Sequence, residues 1–320
     1  MVVLTVAVTL LAASGCGDDD GGNPDPIRRD DATQVSISEF GSLQNPAFSP
    51  DGATLLCTRF RNGYNEEPAD LLLVTLDSGA THTLVSDGSG NINLPGSAWN
   101  AATGQIVFSS SRDPHDEIFL IAENGGPGDE VPLTDRPDHM GYESSLSPDG
   151  AWVVFESHVL DVEGDGVITR YRVDGTSGYE ALTDVGEDCR QPNWSPAGDL
   201  ILYQRYVGGQ WELFVMGPDG SAKRQVTDGV GDKTDASFSP DGQWLVYSGE
   251  IPARDTANLF IVPVSGGPPE QITDSDGYDG APSWSPDGGR IAFEAAAGDP
   301  DGSVGTTLWI IDISSRMAGL

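Results

Sequence analysis

One short phrase occurs six times in this chain, and its spacing constrains the fold more than any other feature. In order the copies are NPAFSPDGATLLCT from Asn45, GSAWNAATGQIVFS from Gly96, ESSLSPDGAWVVFE from Glu143, QPNWSPAGDLILYQ from Gln191, DASFSPDGQWLVYS from Asp235 and APSWSPDGGRIAFE from Ala281. Measured between Ser49, Asn100, Ser147, Ser195, Ser239 and Ser285, the intervals are 51, 47, 48, 44 and 46 residues. A period of that size marks a repeat architecture, in which one unit cannot bury its own apolar face and stacks against its neighbours.

Each copy begins at a large apolar anchor: Phe48, Trp99, Leu146, Trp194, Phe238 or Trp284. Seven to nine residues later come three consecutive apolar positions, Leu55-Leu56-Cys57 in the first copy and Ile291-Ala292-Phe293 in the last. On an element of period two, three apolar neighbours mean that both faces are covered. Between anchor and strand lies Ser-Pro-Asp-Gly. Pro pre-sets φ, Asp bonds back to the chain and Gly takes the left-handed position. The second copy replaces this turn with Asn100–Gly104 and the fourth has Ala197 for Asp, so looser turns are expected there. A third strand follows in each unit (Leu71–Val74, Leu259–Val262), then a fourth that ends in a repeated Thr-Asp such as Thr134-Asp135 and Thr273-Asp274. Four short antiparallel strands with both faces buried describe a propeller blade, and six copies predict an all-β, six-bladed β-propeller. The sixth unit has no fourth strand before the chain ends. The segment Thr33–Ser38 is the candidate to supply it and close the ring, removing a raw sheet edge.

These repeats resemble the TolB-like β-propeller family, with its W-S-P-D-G turn, I-x-F strand, I-Y-V-like third strand and closing L-T, over residues 33–313. TolB itself sets an N-terminal α/β domain before its propeller, for which this sequence has no room. The resemblance therefore implies the fold and not the Tol-system role. Similar repeats occur in propellers attached to serine peptidases and in oligogalacturonate lyases, so the family includes both binding modules and enzymes.

The formal charge is −34, with Lys223 and Lys233 the only lysines. Such a surface repels nucleic acid and anionic lipid head groups and sets both aside as partners. Residues 1–16 form a short apolar run ending in Ala13-Ser14-Gly15-Cys16, which reads as a secretory signal resembling a bacterial lipobox, with Cys16 as the lipidated residue. Leu is usual where Ala13 stands, and no basic residue precedes the run. An acidic tether follows over residues 17–32, and the propeller occupies 33–317. The expected protein is exported and lipid-anchored in the bacterial cell envelope, touching the membrane only through that anchor, as a monomer. Cys57 and Cys189 fall in opposite blades, too far apart for a disulfide.

In a propeller the loops from outer strand to next inner strand gather at one channel mouth. Three residues before the anchors stand Asn45, Gly96, Glu143, Gln191, Asp235 and Ala281, so the polar members are expected around one axis. Asp188, Asp232 and Asp279 lie in the same loops and are expected to add charge. Carboxylates and amides are hard oxygen ligands suited to Ca²⁺, although solvated turn-capping residues read the same way. Asp161, Glu163 and Asp165 resemble the start of a weak Ca²⁺ loop, but Arg172 stands where the closing Glu belongs. Lyase relatives hold a metal on clustered histidines, which makes His115, His139 and His158 the set to inspect here. No hydrolase elbow, H-E-x-x-H or phosphate loop occurs. The leading expectation is a non-catalytic, envelope-tethered propeller binding a protein or glycan on its acidic loop face. The alternative is a metal-dependent carbohydrate-active enzyme resembling oligogalacturonate lyase.

Overall fold

The computed structural model describes residues 31–318 apart from 87, 89, 94–97, 113–114, 163, 165, 255 and 301–303. Six antiparallel sheets follow one another along the chain, five of them formed from consecutive strands. Blade one is Ser42–Phe48, Thr54–Phe60, Ala69–Thr75 and Thr81–Ser86. Blades three to five repeat this order from His139–Leu146, Cys189–Trp194 and Lys233–Phe238, each ending in a two-residue outer strand. In blade two the inner strand is split into Ile92–Asn93 and Trp99–Asn100, both paired with Gln105–Ser110.

Blade six takes its outer strand from the other end of the chain. Thr33 and Gln34 pair antiparallel with Ile310 and Trp309, and Val35 N donates to Leu308 O at 2.9 Å. Ser42 and Thr306 bond through their hydroxyls at 3.0 Å beside this seam. A short C-terminal helix, Ser314–Met317, adds a latch: buried Arg316 donates to Glu270 of blade five at 2.8 Å.

The repeated letters have repeated physical jobs. In the Ser-Pro-Asp-Gly turn, Ser49 Oγ donates to Asp51 Oδ1 at 2.6 Å and accepts Thr54 N at 3.0 Å. Blades three, five and six copy the arrangement. The closing glycines, from Gly104 to Gly198, hold φ between 65° and 73°. The two odd turns are not left loose. In blade four Asp199 takes the role of the missing Asp and accepts from Ser195 Oγ at 2.9 Å. In blade two Asn100 Oδ1 accepts Thr103 N at 2.9 Å, while its Nδ2 crosses to Ser147 O at 2.7 Å. The Thr of Thr-Asp accepts a third-strand N–H, as in Thr134 to Ile118, Thr183 to Ile168 and Thr273 to Leu259. That hydroxyl extends the sheet where the backbone ladder has ended.

The core lies between blades. Trp284 packs with Leu259, Ile261 and Ile272 of blade five as well as Ile291 and Phe293 of its own blade. Trp194 bridges blades three and four in the same way. Trp152 and Trp244 are only partly buried, as their position after the turn implies. Cys57 and Cys189 are buried free thiols, pushed up to about 12 by burial. Among the described residues no helix is long and apolar enough to cross a membrane.

Candidate functional site

Three residues before five of the anchors the inner strand breaks its register. Two residues stand between Gln44 and Ala47, Tyr142 and Ser145, Arg190 and Asn193, Thr234 and Ser237, and Gly280 and Ser283 that have no place in the ladder. The first of each pair sits in left-handed backbone: Asn45 (φ 51°), Glu143 (47°), Gln191 (48°), Asp235 (53°) and Ala281 (45°). Left-handed backbone is costly for a residue with a Cβ, and such bulges re-aim the side chain they carry. Here these five line one narrow throat of about 20 Å³. Gly96, the blade-two member, lies outside the described residues. Gln191 and Asp235 are locked together, Nε2 donating to Oδ1 at 2.8 Å and Asp235 N donating to Gln191 Oε1 at 2.8 Å.

A second tier surrounds them that sequence reading did not single out. Ten residues after each anchor stand Thr58, Ser109, Glu156, Gln204, Ser248 and Glu294, all buried. Glu294 Oε2 accepts Asn45 N at 3.0 Å and Glu156 Oε2 accepts Gln191 N at 3.1 Å, so each caps the bulge of the following blade. Thr58 Oγ1, Ser109 Oγ and Gln204 Oε1 are buried with no hydrogen-bond partner. Tyr64 donates weakly to Glu294 Oε1 at 3.4 Å and meets Tyr278 edge-on. Burial pushes the Glu294 carboxyl up to about 8, helped by the charge of Asp235, which burial also raises. Burial likewise raises Asp116, beside Tyr142 at the blade-three side, to about 6. The signal for this tier was present: the last letter of every repeated phrase is polar although the three before it are apolar.

The other candidates go elsewhere. Asp188 is paired with Arg190 at 3.1 Å, whose guanidinium lies over Trp211. Asp232 Oδ1 accepts Trp211 N at 2.8 Å. Asp279 does not face the mouth; it is fully buried and accepts from Ser275 Oγ at 3.0 Å. None of the three lines the throat. Asp161 is exposed, whereas Glu163, Asp165 and Cys16 lie outside the described residues. The histidines are separately engaged: His115 with Arg136 O, His139 with Asp138, His158 with Glu156 and His82 with Gly125 O. Among the described residues no three His, Cys, Asp or Glu side chains form a group able to hold a metal ion.

At the opposite end the six anchors ring a wider cavity of about 370 Å³. Its lining contains no charged residue, in a chain of net charge −34.

The family model described as the TolB beta propeller domain matches residues 29–237, more than half of the chain. The chain belongs to the TolB β-propeller family. It is 36% identical over 110 residues to dipeptidyl-peptidase 5 of Porphyromonas endodontalis, covering 33% of this chain and 16% of that protein. It is 28% identical over 142 residues to a TolB homologue of Chlorobium luteolum, covering 44% of this chain and 30% of the relative. The chain thus spans less than a third of either relative. Among solved structures, a TolB-like protein from Agrobacterium tumefaciens superposes with a TM-score of 0.61 at 17% identity, covering 85% of this chain and 90% of the other. At that identity the likeness speaks for the fold alone.

Proposed function

We propose that this TolB-family propeller is a non-catalytic binding module. Exported and lipid-anchored through Cys16 in the bacterial cell envelope, it takes a protein or glycan partner at the loop-face mouth. The observation that carries this reading is the convergence of Asn45, Glu143, Gln191 and Asp235 on one throat, on bulges that cost backbone energy in those four blades. Around them, buried acceptors and hydroxyls on Thr58, Ser109 and Gln204 lack partners among the described residues. Two carboxylates raised by burial, Glu294 and Asp235, would ionise most readily against a positively charged or hydrogen-donating group from outside. Separate engagement of His115, His139 and His158 removes the support that a lyase-type metal centre would need.

The test is a photo-crosslinking residue placed at Gln191 on the mouth and, as a control, at Asp241 on the turn face, in a bacterial host. Discrete adducts from Gln191 that weaken in a Glu143→Gln, Asp235→Asn background support the reading. Equal adducts from both faces, or none from Gln191, defeat it. Cys16→Ser should move the protein from the membrane fraction to the soluble one; a wild-type protein that is already soluble and carries no lipid mass removes the anchor.

A further inference from the structure

Acid outnumbers base three to one in this chain, 50 to 16, so a buried cation has no shortage of counter-ions. Among the described residues every lysine and arginine except Arg136 and Arg224 lies within salt-bridge distance of an Asp or Glu. Arg224 is exposed and needs none. Arg136 is 8% exposed. Its Nη2 donates to Ser157 Oγ at 2.7 Å and to Met140 O at 3.3 Å, and its buried Nε has no partner. The neighbouring carboxylate, Glu117, accepts from the Arg136 backbone N–H and from Thr134; its charge and that of Asp138 act on the guanidinium, but neither carboxylate lies within salt-bridge distance of it.

Blade two shows what is missing. There Arg112 lies over the core ring Phe108 and over Phe119, and Glu130 neutralises it. In blade three Arg136 lies in the same way over Phe155, 5.1 Å from its centroid, and over Tyr179 at 4.9 Å. The stacking is repeated and the direct ion pair is not. In its place is an open pocket of about 470 Å³, which Arg136 lines and which shares no residue with the throat. Its wall includes apolar groups that the fold leaves in water: Val185 at 80% exposure, Tyr179 at 40% and Val159 at 39%. Two acids also line it. Asp138 is bonded to His139 at 2.8 Å, and Asp135 stands exposed at the rim.

We infer that this blade-three pocket binds a carboxylate carried on an apolar body, with Arg136 as the counter-charge and Val159, Tyr179 and Val185 holding the apolar part. A buried guanidinium with an unsatisfied Nε and no direct ion pair is costly, and a planar carboxylate matches its donors better than a spherical anion does. A free organic acid and the C-terminal residue of a peptide share this chemistry.

The test titrates the full chain with 4-phenylbutyrate and its neutral amide, and with N-acetyl-leucine and its amide as mimics of a peptide terminus. Each acid that fits should bind at least about ten-fold more tightly than its amide. Which acid prevails separates the two sources. Arg136→Gln should abolish the preference, and Arg224→Gln should leave it intact. Because Arg136→Gln disturbs a buried position, Val185→Asp provides a second readout on an exposed one. It should weaken the acids several-fold more than the amides, which lose only the apolar contact. The assignment is overturned if acids and amides bind alike, if no acid binds up to about 10 mM, or if either Arg136→Gln or Val185→Asp leaves the preference as it was.

Discussion

The two ends of the channel are made from the same inner strands, three residues apart, and differ in nearly every physical respect. At the turn end the anchors Phe48, Trp99, Leu146, Trp194, Phe238 and Trp284 keep one chemical type in six copies and surround an uncharged cavity. At the loop end Asn45, Glu143, Gln191, Asp235 and Ala281 share a strained backbone and almost nothing in side-chain chemistry. Packing explains the first end, because each anchor wedges between its blade and the preceding one. It does not explain the second. The repeat is uniform where its side chains bury one another and varied where they face an opening.

That contrast makes the turn end the place for the largest stability effects. Trp284→Ala or Trp194→Ala should cost about 3–5 kcal/mol in chemical denaturation, the range for removing a large core ring. Partner capture at the mouth should persist in whatever protein remains folded. Trp244→Ala, on a partly exposed ring, should cost clearly less. Equal costs would mean that the anchors have no special standing and that the contrast between the two ends is false.

The next largest effect belongs to the loop end and depends on pH. Glu294 has an ordinary value of 4.5 and is pushed up to about 8 in the folded protein. A raised carboxyl binds its proton more tightly folded than unfolded, so its contribution is fully present below the unfolded value and is lost as pH climbs toward 8. Glu294→Gln keeps an acceptor for Asn45 N and removes the titration. Relative to this variant, the wild type should lose on the order of a few kcal/mol between about pH 5 and pH 8. Thermal unfolding of the two proteins across that range measures the difference. Parallel curves would show that Glu294 ionises freely and that the mouth carries no tension.

How far the sequence could be read follows from the same division. The blades, the existence of a closing strand (which spans Thr33–Gln34 rather than the expected Thr33–Ser38) and the inter-blade position of Trp194 and Trp284 were legible, because burial repeats and repetition is visible. The turns at Asn100 and Asp199 were misjudged because their caps come from a different residue at a different offset. Such substitution is local geometry, which period alone does not encode. The convergence of Asn45, Glu143, Gln191 and Asp235 followed from a shared offset. The inward position of Asp279 did not, since Asp279 stands in the paired part of the strand opposite Ala295, ahead of the bulge at Ala281 and Pro282. Arg136 was invisible: what marks it is a counter-ion that is absent, and absence in space leaves no motif. Removing a cap at the turn end offers an intermediate test. Asp199→Ala should cost about 1 kcal/mol, as Asp241→Ala should in blade five, if one geometry truly serves both turns.

The smallest effect separates strain from function at the loop end. Ala281 has only a methyl group to offer a partner, yet its φ of 45° is as left-handed as that of Glu143. A left-handed residue with a Cβ costs about 1–2 kcal/mol, while glycine's added freedom in the unfolded chain gives back roughly half of that or more. Ala281→Gly should therefore be between neutral and about 1 kcal/mol more stable. Glu143→Gly relieves the same strain and should be no less stable than wild type by more than a few tenths of a kcal/mol. It removes a carboxylate from the throat, however, so its capture of the crosslinked partner should fall while that of Ala281→Gly should not. Stability and capture would then move independently at two positions with one backbone. If Glu143→Gly captured the partner as well as Ala281→Gly, the ring of bulges would be a feature of propeller geometry alone, and the variety of its side chains would carry no binding role.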